Sequence, residues 1–173
     1  MSIAAILQEL DQESATTRRV LERVPADKLD WKPHAKSMSL GVLALHVAMS
    51  PGYICNWAMQ DVTVFPAEGG DGAPSPKTTD EILAAHDAGI AHAKKSLSSL
   101  GDDGLRQTWT ATKGGATVFG PMPKAALVRA IVMNHTYHHR GQLSVYLRLL
   151  DVPVPSIYGP SADEAPPARA TSA

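Results

Sequence analysis

The sequence predicts an all-α protein: a bundle of four helices, with a small β-hairpin set before the last of them. Three observations carry this. Four segments repeat apolar residues at intervals of three and four, the period of a helix with one buried face. Helix-opening residues stand at the head of three of them: Ser39, the run Thr78-Thr79-Asp80-Glu81, and Pro121 to Pro123. Between the last two lies a pair of short β-prone runs around Gly114-Gly115. At 173 residues, 44% hydrophobic and 19% charged, the chain is long enough for one domain with a real core.

The first helix spans about Ser2 to Val24, with Ile3, Ile6, Leu7, Leu10, Leu21 and Val24 on one side. Ser14 and Thr17 share that stripe, either as small residues in a tight helix contact or as the lining of a polar pocket. Pro25 to Met38 reads as a loop anchored by Trp31, with His34 solvated in it. The second helix, about Leu40 to Gln60, turns Val42, Leu43, His46, Val47, Tyr53, Ile54 and Trp57 inward. Pro51-Gly52 is expected to kink or split it. Asp61 to Lys77 is a long Gly- and Pro-rich connection that could reach over a pocket mouth. A capping box opens the third helix, to about Leu100, with His86 inward and His92 at the stripe's edge. The fourth runs from about Pro121 to Leu150. Val128, Ile131, Val132, His135, His138, His139, Gln142, Tyr146 and Leu149 share a broad face, and Gly141 offers a close helix approach. From Asp151 the prolines forbid further helix.

Charge narrows the function classes. The net charge is −1 with the ions scattered, so neither a nucleic-acid stripe nor a polybasic membrane patch is present. No apolar run is long enough to span a bilayer, and no basic-then-apolar leader opens the sequence. The single cysteine, Cys55, excludes an internal disulfide and points to a reducing cytoplasm.

The chemistry gathers on the histidines. His135 and His139 are four apart, so their rings leave one helix face a turn from each other. His46 faces inward from the second helix. Three imidazoles converging on one cation leave a fourth position open, the pattern of a catalytic rather than a structural metal. Zinc, nickel and iron all accept such ligands. The competing account is three separately hydrogen-bonded core histidines. His138 lies in the same arc and could replace either neighbour or stand behind them. Tyr53, Trp57, His86, His138 and Gln142 are the residues whose inferred faces make them candidates to line a substrate pocket.

The motifs Trp31-Lys32-Pro33, Ser37-Met38-Ser39-Leu40-Gly41 leading to His46, and His135-Thr136-Tyr137-His138-His139-Arg140-Gly141-Gln142-Leu143 resemble those of the DinB-like (YfiT-like) family of four-helix metalloenzymes. The resemblance runs to about Tyr158, giving a domain over 1–158 and a Pro-, Ala- and Ser-rich tail over 159–173, expected to be partly disordered. It implies His46, His135 and His139 as metal ligands, crossover connections between the helices, and a homodimer. It also implies a divalent zinc, nickel or iron ion and transfer of a low-molecular-weight thiol to an electrophilic small molecule. Hydrolysis by metal-activated water, or ligand binding without catalysis, are the alternatives.

Overall fold

The computed structural model of the chain describes residues 2–67 and 75–165. Four helical stretches dominate it: α1 (Ile3–Leu21), α2 (Leu40–Ala58), α3 (Thr79–Arg106), and a last one that begins as α4 (Lys124–Leu127), passes through a π-helical turn (Val128–Met133) and continues as α5 (Asn134–Leu149). The caps expected at Ser39 and Thr78 are in place, and Ser2 caps the first helix in the same way. Ser2, Ser39 and Thr78 each accept a hydrogen bond from a backbone N–H in the first turn they open.

α3 packs against both α1 and α2, and α5 against the same two helices. The helices therefore go round the bundle in the order α1, α3, α2, α5. Both the α1–α2 connection and the path from α3 to α5 cross the bundle, as the resemblance implies. Trp31 anchors the first crossing, its ring edge-on to Tyr146 at 5.7 Å.

The second crossing is made by strands. β2 (Thr108–Lys113) and β3 (Ala116–Pro123) form the expected antiparallel hairpin around Gly114-Gly115, both at positive φ. The connection expected to be without structure from Asp61 contributes a strand, β1 (Val62–Phe65), parallel to β2. Trp109 explains it: fully buried, it donates its indole N–H to Thr63 Oγ1 at 2.9 Å and so ties β1 to β2. The sheet closes one end of the bundle over Ile54, Ala58, Leu97, Leu105 and Leu127. Residues 68–74, within the segment expected to reach over a pocket, lie outside the described residues.

Four expectations are corrected. Of the two outcomes expected at Pro51-Gly52, the split does not occur: α2 runs through it as one helix. Ser50 Oγ donates to the His46 carbonyl at 2.5 Å, and Gly52 lies flat against Gly89 of α3, where a Cβ would stand 2.7 Å from the Gly89 carbonyl oxygen. This glycine pair, not Gly141, is the close helix approach; a Cβ at Gly141 would meet open space. α3 runs past Leu100 to Arg106 across a break at Gly101, whose φ of +64° interrupts the helical geometry. The last helix starts at Lys124, because Pro121 to Pro123 still belong to β3.

The core falls into two apolar clusters. One, toward the sheet, holds Ile6, Leu10, Ile54, Leu97, Trp109 and Val132. The other, at the far end, holds Leu21, Leu40, Leu43, Val47, Ile82, Leu143 and Leu147. Between them lies a polar layer, and the histidines belong to it. The residues from 151 to 165 are irregular and held by ion pairs of Glu164 with Arg19 and of Asp163 with Arg148. Residues 166–173 lie outside the described residues. Among the described residues no helix is long and apolar enough to cross a membrane.

Candidate metal centre

The π-helical turn sets the register of everything after it. A π turn carries one residue more than an α turn, so the inward stripe moves on by one. From Val128, an unbroken α-helix would bury His135, His139 and Gln142. The stripe that is buried on α5 is Thr136, Arg140, Leu143 and Leu147. His135 and His139 are thereby turned from the middle of the core to its edge, half buried and facing α2. Leu149, expected inward, is 57% exposed for the same reason.

At that edge the three expected histidines meet. His135 Nε2 is 3.4 Å from His46 Nε2 and 3.1 Å from His139 Nε2. All three donor atoms lie within 4.8 Å of one another. Two nitrogens bound at about 2.1 Å to one tetrahedral ion stand about 3.4 Å apart, so the two His135 separations fit a group that could hold one ion. The ionisation state agrees. Burial holds all three rings below the ordinary imidazole range, and the neighbouring rings add to it at His46 and His135; His135 is pushed down to about 4. At neutral pH these are uncharged imidazoles with lone pairs to offer.

Gln142 fixes the tautomer of one of them. His139 Nδ1 donates to Gln142 Oε1 at 2.7 Å, which leaves Nε2 without a hydrogen and able to bind a cation. His135 Nδ1 is buried with no hydrogen-bond partner among the described residues, so the polar contacts of that ring are those of its Nε2 with the other two histidines. The donor set is all nitrogen, neutral and preformed, and fits a divalent transition metal.

The other candidates separate by position. Gln142 touches the cluster directly. His138 is exposed, its ring edge-on to His139 at 4.9 Å, so it stands beside the cluster rather than in it. Tyr53 is 61% exposed on α2, two turns beyond His46, and Trp57 is half buried between it and the sheet. His86 is elsewhere: it lines a cavity of about 10 Å³ with Glu13, Ser14, Thr17, Thr136 and Tyr137, in the middle of the bundle. Its Nδ1 is 3.3 Å from Asp87 Oδ1, its Nε2 is buried without a partner, and burial lowers its pKa.

The sequence reading passed over Arg140. Its guanidinium is 1% exposed, pairs with Glu13 at 2.7 Å, donates to Thr17 Oγ1 and Tyr158 Oη, and lies over the rings of Tyr137 and Tyr158. Thr17 is thus a polar partner and not merely a small residue in a helix contact. The signal was available, since Arg140 shares helical spacing with Thr136, Leu143 and Leu147. Cys55 is fully buried and its thiol is pushed up to about 12, so the chain's cysteine is inert at neutral pH.

A profile of the DinB family matches residues 1–169. The protein YrdA of Bacillus subtilis is 26% identical over 159 residues, covering 91% of this chain and 89% of that one. A crystal structure of a DinB-like protein from Bacillus cereus superposes with a TM-score of 0.72 at 23% identity, over 91% of this chain and 98% of the other. That of the DinB-like YjoA from Bacillus subtilis gives 0.63 at 18%, over 86% and 95%. At these identities the two structures speak for the fold.

Proposed function

Since the chain belongs to the DinB family, we propose that it is a metal-dependent enzyme that transfers a low-molecular-weight thiol to an electrophilic small molecule. The observation that carries this is the convergence of the His46, His135 and His139 ring nitrogens on one point. A zinc, nickel or iron ion held there supplies a Lewis-acidic position that favours the thiolate form of a bound thiol.

The rest falls to the chain. His46 approaches from α2 and the other two from α5, so the packing of these helices sets the geometry. Gln142 keeps His139 in the metal-binding tautomer. Arg140, anchored on α1 through Glu13 and Thr17, fixes the rotation of α5 that presents both histidines. The reacting thiol comes from outside, because Cys55 is buried as the neutral thiol. In the reaction the thiol proton passes to solvent, sulfur forms a bond to the electrophilic carbon, and the leaving group departs with its electron pair. The half-buried setting of the cluster limits competing attack by water.

Cobalt-substituted protein tests the reading. A small thiol is expected to change the visible spectrum, and thiol conjugation to fall at least a hundredfold in His46→Ala and His139→Ala. Conjugation that survives both substitutions contradicts it. The resemblance also supports a cytoplasmic homodimer as part of this proposal; a single monomeric species in sedimentation velocity at micromolar concentration removes the dimer from it.

A further inference from the structure

We infer that the molecule bound at the three-histidine cluster carries an uncharged aromatic or alkyl body, laid along an aromatic strip that runs from His46 down α2 to the sheet. This rests on the reading of the cluster as a metal site with an open position.

The strip begins with spacing. Met49 and Tyr53 follow His46 at three and seven residues, so they continue its face of α2 toward the sheet. At 1.5 Å per residue they lie about 4.5 and 10 Å further along the axis. Both are open, at 42% and 61% exposure. The rings then pass from one to the next. Tyr53 is edge-on to Trp57 at 5.7 Å, Trp57 to Phe65 at 5.0 Å, and Phe65 to Phe119 at 6.4 Å, with Phe119 50% exposed. Beneath them Trp57 stacks on Trp109 with 8° between the ring planes. Trp109 is fully buried and hydrogen-bonded to Thr63, so the floor is rigid and costs little ordering entropy when a ligand settles on it.

Charge completes the argument. No Asp, Glu, Lys or Arg stands between Lys36 and Asp61, the whole length of α2. At the sheet end the strip meets a cation, Lys113, which pairs in register with Phe65. Along α2, between His46 and Trp57, an anionic or cationic ligand body would lose its hydration and gain no counter-charge from the helix. A neutral apolar one loses nothing.

The strip is also too small for a stable protein partner. Its aromatics bury on the order of 150–250 Å² each when fully covered and are only partly open, which leaves a few hundred Å². A stable dimer needs about 800 Å² from each side. The rise of about 10 Å from His46 to Tyr53 sets the length of a body whose reactive head lies at the histidines.

The test uses full-length protein labelled with ¹³C at the methionine methyls, with the Met49 signal assigned from Met49→Leu. Metal-free protein is titrated with 2-naphthol and with 2-naphthoate, which is anionic at pH 7. The expected result is a Met49 shift by 2-naphthol with a Kd at least tenfold below that for 2-naphthoate, weakened at least fivefold in Tyr53→Ser. Zinc-loaded protein should then bind 2-naphthalenethiol at least tenfold more tightly than 2-naphthol, and His139→Ala should abolish the difference. Equal binding of 2-naphthoate, or indifference to Tyr53→Ser, overturns the strip while zinc uptake keeps the metal reading. Failure to take up zinc, nickel or iron overturns the metal reading, and this inference with it. A Met49 shift on dilution, together with a dimer lost in Tyr53→Ser, overturns it in favour of contact between copies.

Discussion

Arg140 is the costliest residue to place in this protein, and the arrangement around it shows how the cost is met. A guanidinium 1% exposed has lost its water, and Glu13, Thr17, Tyr158 and two aromatic faces replace it. Arg140→Met removes the cation and leaves the Glu13 carboxylate, 17% exposed, with the Tyr158 hydroxyl as its remaining donor. The expected loss is about 3–5 kcal/mol in chemical denaturation, the scale for breaking a buried ion pair from one side. A loss below about 1 kcal/mol would mean that Glu13 swings out to solvent and the pair is not structural. His86 makes a second prediction at this scale. Burial depresses its folded pKa below the ordinary 6.5 that it recovers on unfolding. As pH falls below about 6.5, the unfolded chain takes up the proton first, so stability is lost toward the folded pKa and is fully present above 6.5. In metal-free protein, His86→Gln should therefore flatten the fall in unfolding free energy between pH 7 and 5. An unchanged slope would show that His86 is protonated in the folded chain.

At the scale of the element, α2 and α5 decide whether there is a site. Their contact is arranged by backbone features with weak signatures. The Gly52–Gly89 contact brings α2 against α3 at backbone distance. Gly52→Ala should cost about 1–3 kcal/mol, the usual penalty of overpacking, because the obstructing atom is a carbonyl oxygen that cannot rotate away; a neutral result by thermal unfolding would show that the helices can separate. The π-helical turn at Val128–Met133 is the other such feature. The four helices, the hairpin and two of the caps were legible because periodicity and capping are local properties of sequence. His46, His135 and His139 were legible too, since a four-residue spacing survives a shift of the whole stripe. The π turn was not, because its residues are ordinary helix formers, so the inward stripe of the last helix was read one residue early. That single shift hid Arg140 and misplaced Leu149. β1 was hidden because four residues in a Gly- and Pro-rich stretch carry no period, and its pairing depends on a tryptophan 46 residues away.

Taken whole, the molecule puts two apolar clusters at the ends of the bundle and its polar and titratable groups between them. The layer has two sides. On one, Arg140 and Glu13 tie α5 to α1 and, through Tyr158, to the segment beyond α5. On the other, three neutral imidazoles face α2 and the surface. Crossover connections allow this, since they make α1 and α2 the two partners of α5, one for each side of the layer. The central claim is that the second side binds a metal. The measurement that tests it most directly is metal content after purification and dialysis, wild type beside His135→Ala. The account predicts about one equivalent of a divalent transition metal in the wild type, and its loss in the variant with the fold intact by circular dichroism. A wild type that takes up no zinc, nickel or iron on reconstitution would contradict it, and would make the three histidines packing residues.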